Sequence, residues 1–169
     1  MSDIFIPAII DVEASGFGLG SYPIEVGVAL ADGKTHCFLI KPEPRWTHWD
    51  PKAEQAHGIS REILANHGKS PYQVADSLNE LLAGQTLYSD AWGYDNTWIA
   101  LLFDAAELPQ TFKVAQLQGL FQEAHYDLWN PAYTRLQQEL GISRHRASSD
   151  AYLIQQTFIQ TSLAVKGRT

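Results

Sequence analysis

Apolar residues run almost unbroken from Ile4 to Val12. That is the pattern of a central strand covered on both faces. Pro7 cannot donate to a ladder, so the securely paired part begins after it. From Pro23 to Ala31, Ile24, Val26, Val28 and Leu30 alternate and predict a second strand. Asp32-Gly33 is a hairpin turn into a third strand, Thr35 to Lys41. Such short connections predict an antiparallel meander. Pro42 and Pro44 end it.

The pattern then becomes helical. A short helix carries Ala53, Ala56 and His57 and stops at Gly58, and another starts at Ser60. Ser70 caps a third helix with Pro71 at its first position. Its apolar face is Val74, Leu78, Leu81 and Leu82, and Gly84 ends it. Thr86 to Ser89 is a short strand. Ala91 to Leu108 reads as a loop followed by a helix, with Ile99, Leu102, Phe103 and Ala106 at helical spacing. Phe112 to Leu117 reads as a fifth strand, and a short helix starts between Leu117 and Ala124. Asn130-Pro131 caps a helix presenting Tyr133, Leu136 and Leu140 and ending at Gly141. The last helix runs from about Ala147 to Val165, with Ala151, Ile154, Phe158 and Ile159 inward. Residues 166–169 should fray. No repeat or linker interrupts the pattern, which predicts one domain over residues 1–165. The class is α/β, with a mixed five-stranded sheet whose strands 1–3 are antiparallel.

Composition narrows the function. A net charge of −7 argues against a broad basic groove gripping a long polyanion. The only cysteine, Cys37, excludes an internal disulfide and suits a reducing cytoplasm. Its apolar setting, His36-Cys37-Phe38-Leu39-Ile40, favours a core thiol over a nucleophile. No apolar run reaches the roughly 18 residues of a membrane span, and Met1-Ser2-Asp3 lacks the basic region of a signal peptide. Cytoplasmic location with no membrane partner is therefore the expectation.

The chemistry gathers at acids. Asp11 and Glu13 flank Val12 at the end of the first strand and point to one side, with Cα atoms roughly 6.5–7 Å apart. Two carboxylates about 4 Å apart repel by roughly 4 kcal/mol at an effective dielectric of about 20. A divalent cation would offset that, although an isolated pair is equally an acidic strand end dipping into solvent. Asp95 opens a helix after the fourth strand, while Asp90 and Asp104 read as surface acids. Asp150 lies in the first turn of the last helix, where the dipole favours a carboxylate. His145 precedes it on a loop, free to swing. Such a set suits metal-assisted phosphodiester hydrolysis, with two ions about 3.5–4 Å apart bridged by carboxylates. A histidine titrating near pH 6.5 suits deprotonation of the attacking water. Trp46 and Trp49 either stack on bases or pack over the core edge.

Asp11-Val12-Glu13 after an apolar strand, Tyr94-Asp95 opening a helix, and His145-Arg146-Ala147 followed by Asp150-Ala151 resemble, in this order, the three motifs of the DEDDh exonuclease family. That family includes ribonuclease T, oligoribonuclease and the proofreading subunit of bacterial DNA polymerase III. His57-Gly58-Ile59-Ser60 is similar to a further family element. The resemblance implies a ribonuclease-H-like fold with helices on both faces of the sheet. It implies 3′→5′ removal of nucleoside 5′-monophosphates with two divalent ions, Mg²⁺ or Mn²⁺. Asp11, Glu13, Asp95 and Asp150 would be the metal ligands and His145 the general base. Backbone around Ala14 and Ser15 would face the terminal nucleotide, and Ile59 would border its base. Partners would be 3′ ends of single-stranded DNA or RNA, or short oligonucleotides. Some members dimerise, so a homodimer is among the states allowed.

The chain departs from the family where Ala91 stands four residues before Asp95 in place of an asparagine, and where Val114-Ala115-Gln116-Leu117 replaces an Asp-Thr pair. Basic residues are scattered, although Arg144 and Arg146 flank His145. Two alternatives stay open at this level: a binding module with degraded chemistry, and a hydrolase of small phosphoesters.

Overall fold

The computed structural model describes residues 4–142 and 145–167. Arg144 lies outside them, as do residues 168–169 of the expected fraying tail. Five strands form one sheet: β1 (Ala8–Ala14), β2 (Pro23–Ala29), β3 (Thr35–Leu39), β4 (Thr86–Ser89) and β5 (Lys113–Gln116). Their order is β3-β2-β1-β4-β5. β1, β2 and β3 pair antiparallel, as the short hairpin connections require, whereas β4 joins β1 and β5 joins β4 in parallel. The sheet is therefore the mixed one expected, and β1 begins directly after Pro7.

Helices cover both faces. On one side α3 (Pro71–Leu82) and α4 (Trp92–Ala106) pack on Ile10 and Val12 of β1 through Val74, Leu78, Leu82, Ile99 and Leu102. On the other, α6 (Ala147–Lys166) covers Ile9 with Ala151, Ile154 and Phe158. Each fully buried aliphatic side chain contributes about 1.5–3 kcal/mol relative to exposure. The period of two on β1 then has a functional consequence. Asp11 and Glu13 continue the face of Ile9, so they project toward α6. Two short helices, α1 (Pro51–His57) and α2 (Arg61–His67), fill the connection from β3 to α3. Asp50 caps α1 by accepting the Lys52 N–H, and Gly58 closes it in the left-handed region.

The structure corrects several expectations. Asn130-Pro131 does not cap a helix; α5 (Glu123–Glu139) runs through it. A proline there removes one intrahelical bond, and packing of α5 on α6, with Ala132 and Leu136 buried, outweighs the loss. The helix expected between Leu117 and Ala124 is a single 3₁₀ turn, Leu117–Leu120. The loop expected before α4 shrinks to Asp90-Ala91, because the Ser89 hydroxyl accepts the Ala91 N–H at 3.1 Å and closes the turn. α6 continues through Lys166, one residue into the expected tail, and Ile159 is only partly buried. Cys37 is exposed because β3 is an edge strand. Its thiol is nonetheless pushed up to about 11 by desolvation and the neighbouring Glu25, which keeps it a poor nucleophile. Trp46 stacks on Tyr22 and packs on the core, and the Trp49 indole donates to Glu54, so both tryptophans are structural. Among the described residues, no helix is long and apolar enough to cross a membrane.

Candidate active site

The parallel pairing of β1 with β4 brings the C-terminal end of β1 beside Ser89 and the start of α4. α6 crosses the same end from the other side. Asp11 and Glu13 from β1, Asp90 from the β4–α4 turn, Asp95 from the first turn of α4, and Asp150 from the first turn of α6 therefore line one cleft, of ≈ 360 Å³. That volume lies at the small end of the range for ligand clefts. His145, Ala14, Gly16, His57, Phe17, Tyr94 and Trp98 complete much of its wall.

The carboxylates form two groups. One oxygen each from Asp11, Glu13 and Asp150 lie within 4.8 Å of one another, and so do oxygens from Asp11, Asp90 and Asp95. Asp11 belongs to both. Desolvation and the neighbouring charges of Asp95, Glu13 and Asp150 hold the Asp11 carboxyl well above the usual carboxylate range. Burial, then Asp150, raises Glu13 from 4.5 to about 8. Burial raises Asp95 from 3.8 to about 7, although the Ser89 hydroxyl donates to its Oδ2 at 2.7 Å and opposes the rise. An all-oxygen, electronegative donor set of this kind fits hard divalent cations such as Mg²⁺ or Mn²⁺.

The pH dependence follows from these directions. The folded chain binds the Glu13 and Asp95 protons more tightly than the unfolded chain does. The associated stability is complete below the ordinary carboxylate range and is lost as pH rises toward about 8. Divalent ions need the deprotonated groups, so they should stabilise most where the metal-free protein is weakest. At pH near 8, an ion present at about 100 times its Kd should add about 2.7 kcal/mol. At about 2–4 °C per kcal/mol that is a rise of roughly 5–11 °C in Tm. The rise should nearly vanish at roughly pH 5. Thermal melts with Mg²⁺ or Mn²⁺ at the two pH values check this.

His145 is exposed and holds φ at 76°, the left-handed region that non-glycine residues rarely occupy. Its backbone N–H donates to Asp150 Oδ2 at 3.0 Å. The base candidate is thus tethered by its backbone to an acid of the cleft, with its imidazole at the cleft edge. Arg146 does not flank it as a free cation, because it forks onto the fully buried Glu25 with Nη2 at 2.8 Å.

Of the expected substrate contacts, Ile59 and Ser15 do not line the cleft. Ile59 is 1% exposed and packs with Tyr22, Ile24 and Leu64; the cleft is lined instead by His57, two residues earlier. Ser15 is fully buried, and its hydroxyl pairs with His48 and accepts the Tyr22 N–H. Its own N–H and C=O are taken by Tyr22 and Asp50. Ala14 does line the cleft, and so does Gly16. Gly16 has φ of 150°, and a Cβ there would lie 2.7 Å from Asp50 Cβ, so the low wall needs glycine.

Other cleft residues escaped sequence reasoning. Asp90 read as a surface acid, yet it completes the second carboxylate group; its place directly after β4, five residues before Asp95, was the available signal. Phe17 and Tyr94, 68% and 56% exposed, meet edge to face at 5.2 Å on the rim. Their exposure beside glycines and a helix start was the only cue.

No family model and no curated protein matches this sequence. Solved structures do match. The zinc-bound E. coli exonuclease I–single-stranded DNA complex is similar over 96% of this chain and 40% of that one, with 16% identity and a TM-score of 0.68. E. coli exonuclease I with a dT13 oligonucleotide is similar over 92% and 40%, with 13% identity and a TM-score of 0.68. S. pombe Pop2p, in its Mg²⁺- and Mn²⁺-bound form, is similar over 92% and 82%, with 16% identity and a TM-score of 0.64. The chain thus spans about 40% of the length of the exonuclease I chains. With its mixed β3-β2-β1-β4-β5 sheet covered by helices on both faces, the chain has the ribonuclease-H-like fold of these solved structures.

Proposed function

We propose that the protein is a metal-dependent 3′→5′ exonuclease of the DEDDh type, acting on single-stranded nucleic acid or short oligonucleotides. The observation that carries this reading is the pair of three-carboxylate groups sharing Asp11, with His145 at the cleft edge. The same fold occurs in exonuclease I solved in complex with single-stranded DNA and in Pop2p solved in its Mg²⁺- and Mn²⁺-bound form, which supports this reading.

Asp11, Glu13 and Asp150 would hold one ion, and Asp11, Asp95 and Asp90 would hold a second. When bound, the ions supply an activated water and neutralise charge on the leaving 3′ oxygen. His145 takes the proton of the attacking water. Ala14 and Gly16 keep the wall low beside the acids, so the sugar–phosphate end of a strand reaches them. Phe17 and Tyr94 offer π-faces to an unpaired base, which suits a single strand.

Stacking of one base is worth about 1–3 kcal/mol by alanine substitution. Phe17→Ala should therefore raise KM about 5- to 150-fold with a smaller change in kcat, at 1.4 kcal/mol per tenfold. Steady-state kinetics on a single-stranded oligonucleotide measures it. The activity itself is tested with 5′-labelled single-stranded DNA and RNA, with and without Mg²⁺ or Mn²⁺. A ladder shortening from the 3′ end, abolished by chelation, is expected. Internal cuts, or no shortening with either ion, would overturn the reading.

A further inference from the structure

We infer that Glu25 is a positioning residue that clamps the N-terminus of α6 onto β2 and so sets His145 and Asp150 against Glu13. Glu25 is fully buried in the middle of the sheet, an expensive place for a carboxylate without partners. Arg146 and Ala147 of the third motif hold its carboxylate, with the Cys37 thiol of β3 also beside it. Arg146 Nε lies 3.2 and 3.1 Å from its two oxygens, and Arg146 Nη2 lies 2.8 Å from Oε2. The Ala147 N–H donates to Oε1 at 2.8 Å. Arg146, at the N-cap of α6, makes no side-chain cap hydrogen bond of its own. The capping carboxylate comes from another strand, satisfying an otherwise orphaned N–H at the positive end of the helix dipole.

The backbone of β2 is shaped for the same contact. Gly27 follows Glu25 on the same face, and a Cβ there would lie 2.1 Å from the Ala147 carbonyl carbon and the Ser148 nitrogen. Glycine lets α6 sit directly on the strand, and Glu25 fixes which turn of α6 sits there. Glu25 also pairs across the ladder with Glu13. One side of this rung thus holds the carboxylate of the cleft, and the other holds the helix that delivers Asp150. His145 and Asp150 bracket the clamped residues Arg146 and Ala147, and their mutual hydrogen bond closes the turn. Arg146 is half exposed, so a loss of Glu25 leaves it free to hydrate.

The inference rests on the reading of Glu13 and Asp150 as holders of one ion, and the test separates the two. Hydrogen exchange at the first turn of α6 reports the clamp without metal, and Mn²⁺ titration reports its consequence. Glu25→Ala should speed exchange at Ala147 and Asp150 while leaving the first turn of α4 unchanged. It should also weaken Mn²⁺ uptake by the Glu13/Asp150 group about 10- to 100-fold, the usual cost of losing an outer partner of a metal site. Uptake by the Asp11/Asp90/Asp95 group should be little changed. Glu25→Gln keeps an acceptor for the Ala147 N–H, so it should restore part of both effects. Unchanged exchange at α6 in Glu25→Ala, or equal loss at both ion sites, would overturn the clamp. Faster exchange in a protein whose wild type takes up no Mn²⁺ supports the clamp and removes the metal reading instead.

Discussion

Asp11→Asn should reduce metal-dependent shortening of a single-stranded oligonucleotide by more than about a thousandfold. Asp11 alone belongs to both carboxylate groups, so the substitution would impair both proposed ion sites at once. Bound metal stabilises transition-state charge by several kcal/mol. At about 1.36 kcal/mol per decade, a loss of about 4 kcal/mol is about a thousandfold. Stability should move the other way. The Asp11 carboxyl is held well above its ordinary range by burial and by Asp95, Glu13 and Asp150. Replacing it with a neutral amide removes that repulsion, so the metal-free variant should melt higher than metal-free wild type at about pH 8, where the other acids of the cleft ionise. Asp104→Asn, at an exposed position of α4, is the control and should change neither quantity. An Asp11→Asn protein that is both slow and less stable would point to an unfolded variant rather than an empty site. Circular dichroism melts beside the activity assay separate the two.

His145→Ala should slow the same reaction by about a hundred- to ten-thousandfold, the usual contribution of a positioned general base. Mn²⁺ binding should be largely kept, because the Asp150 contact from this residue is made by its backbone N–H and not by its ring. The backbone geometry supplies a second variant. With φ at 76°, position 145 suits glycine better than any residue carrying a Cβ. His145→Gly should therefore be as slow as His145→Ala yet at least as stable as wild type. A histidine retained for folding would give the reverse, an active and destabilised glycine variant. Retention of a costly left-handed histidine where glycine would be easier is how strain at a functional site presents itself.

The fold was legible because its signals are local. Alternation from Ile24 to Val28, the Asp32-Gly33 turn and the Ser70-Pro71 start each specify an element without help from the rest of the chain. The cleft acids were legible for a related reason: strand periodicity puts Asp11 and Glu13 on one face, and a helix start fixes Asp150. What escaped was decided by tertiary packing. Pro131 is a helix start by every local rule, yet α6 supplies enough apolar surface to carry α5 through it. Cys37 lies in an apolar run, but no periodicity reveals that β3 is the sheet edge. Ile59 and His57 share a four-residue segment, and only the docking of α1 decides that the histidine lines the cleft. Glu25 was hidden in the polar half of an alternating strand, where a solvent-facing acid is the ordinary outcome. Its burial depends on Arg146, which lies 121 residues away.

Asp11 is proposed to sit between two cation sites. Crystals of the protein grown with Mn²⁺ and measured for manganese anomalous scattering test it most directly. Two peaks about 3.5–4 Å apart are expected, one against Glu13 and Asp150 and the other against Asp90 and Asp95, with Asp11 touching both. A cleft without anomalous signal at saturating Mn²⁺ and pH near 8, where Glu13 is giving up its proton, would contradict it.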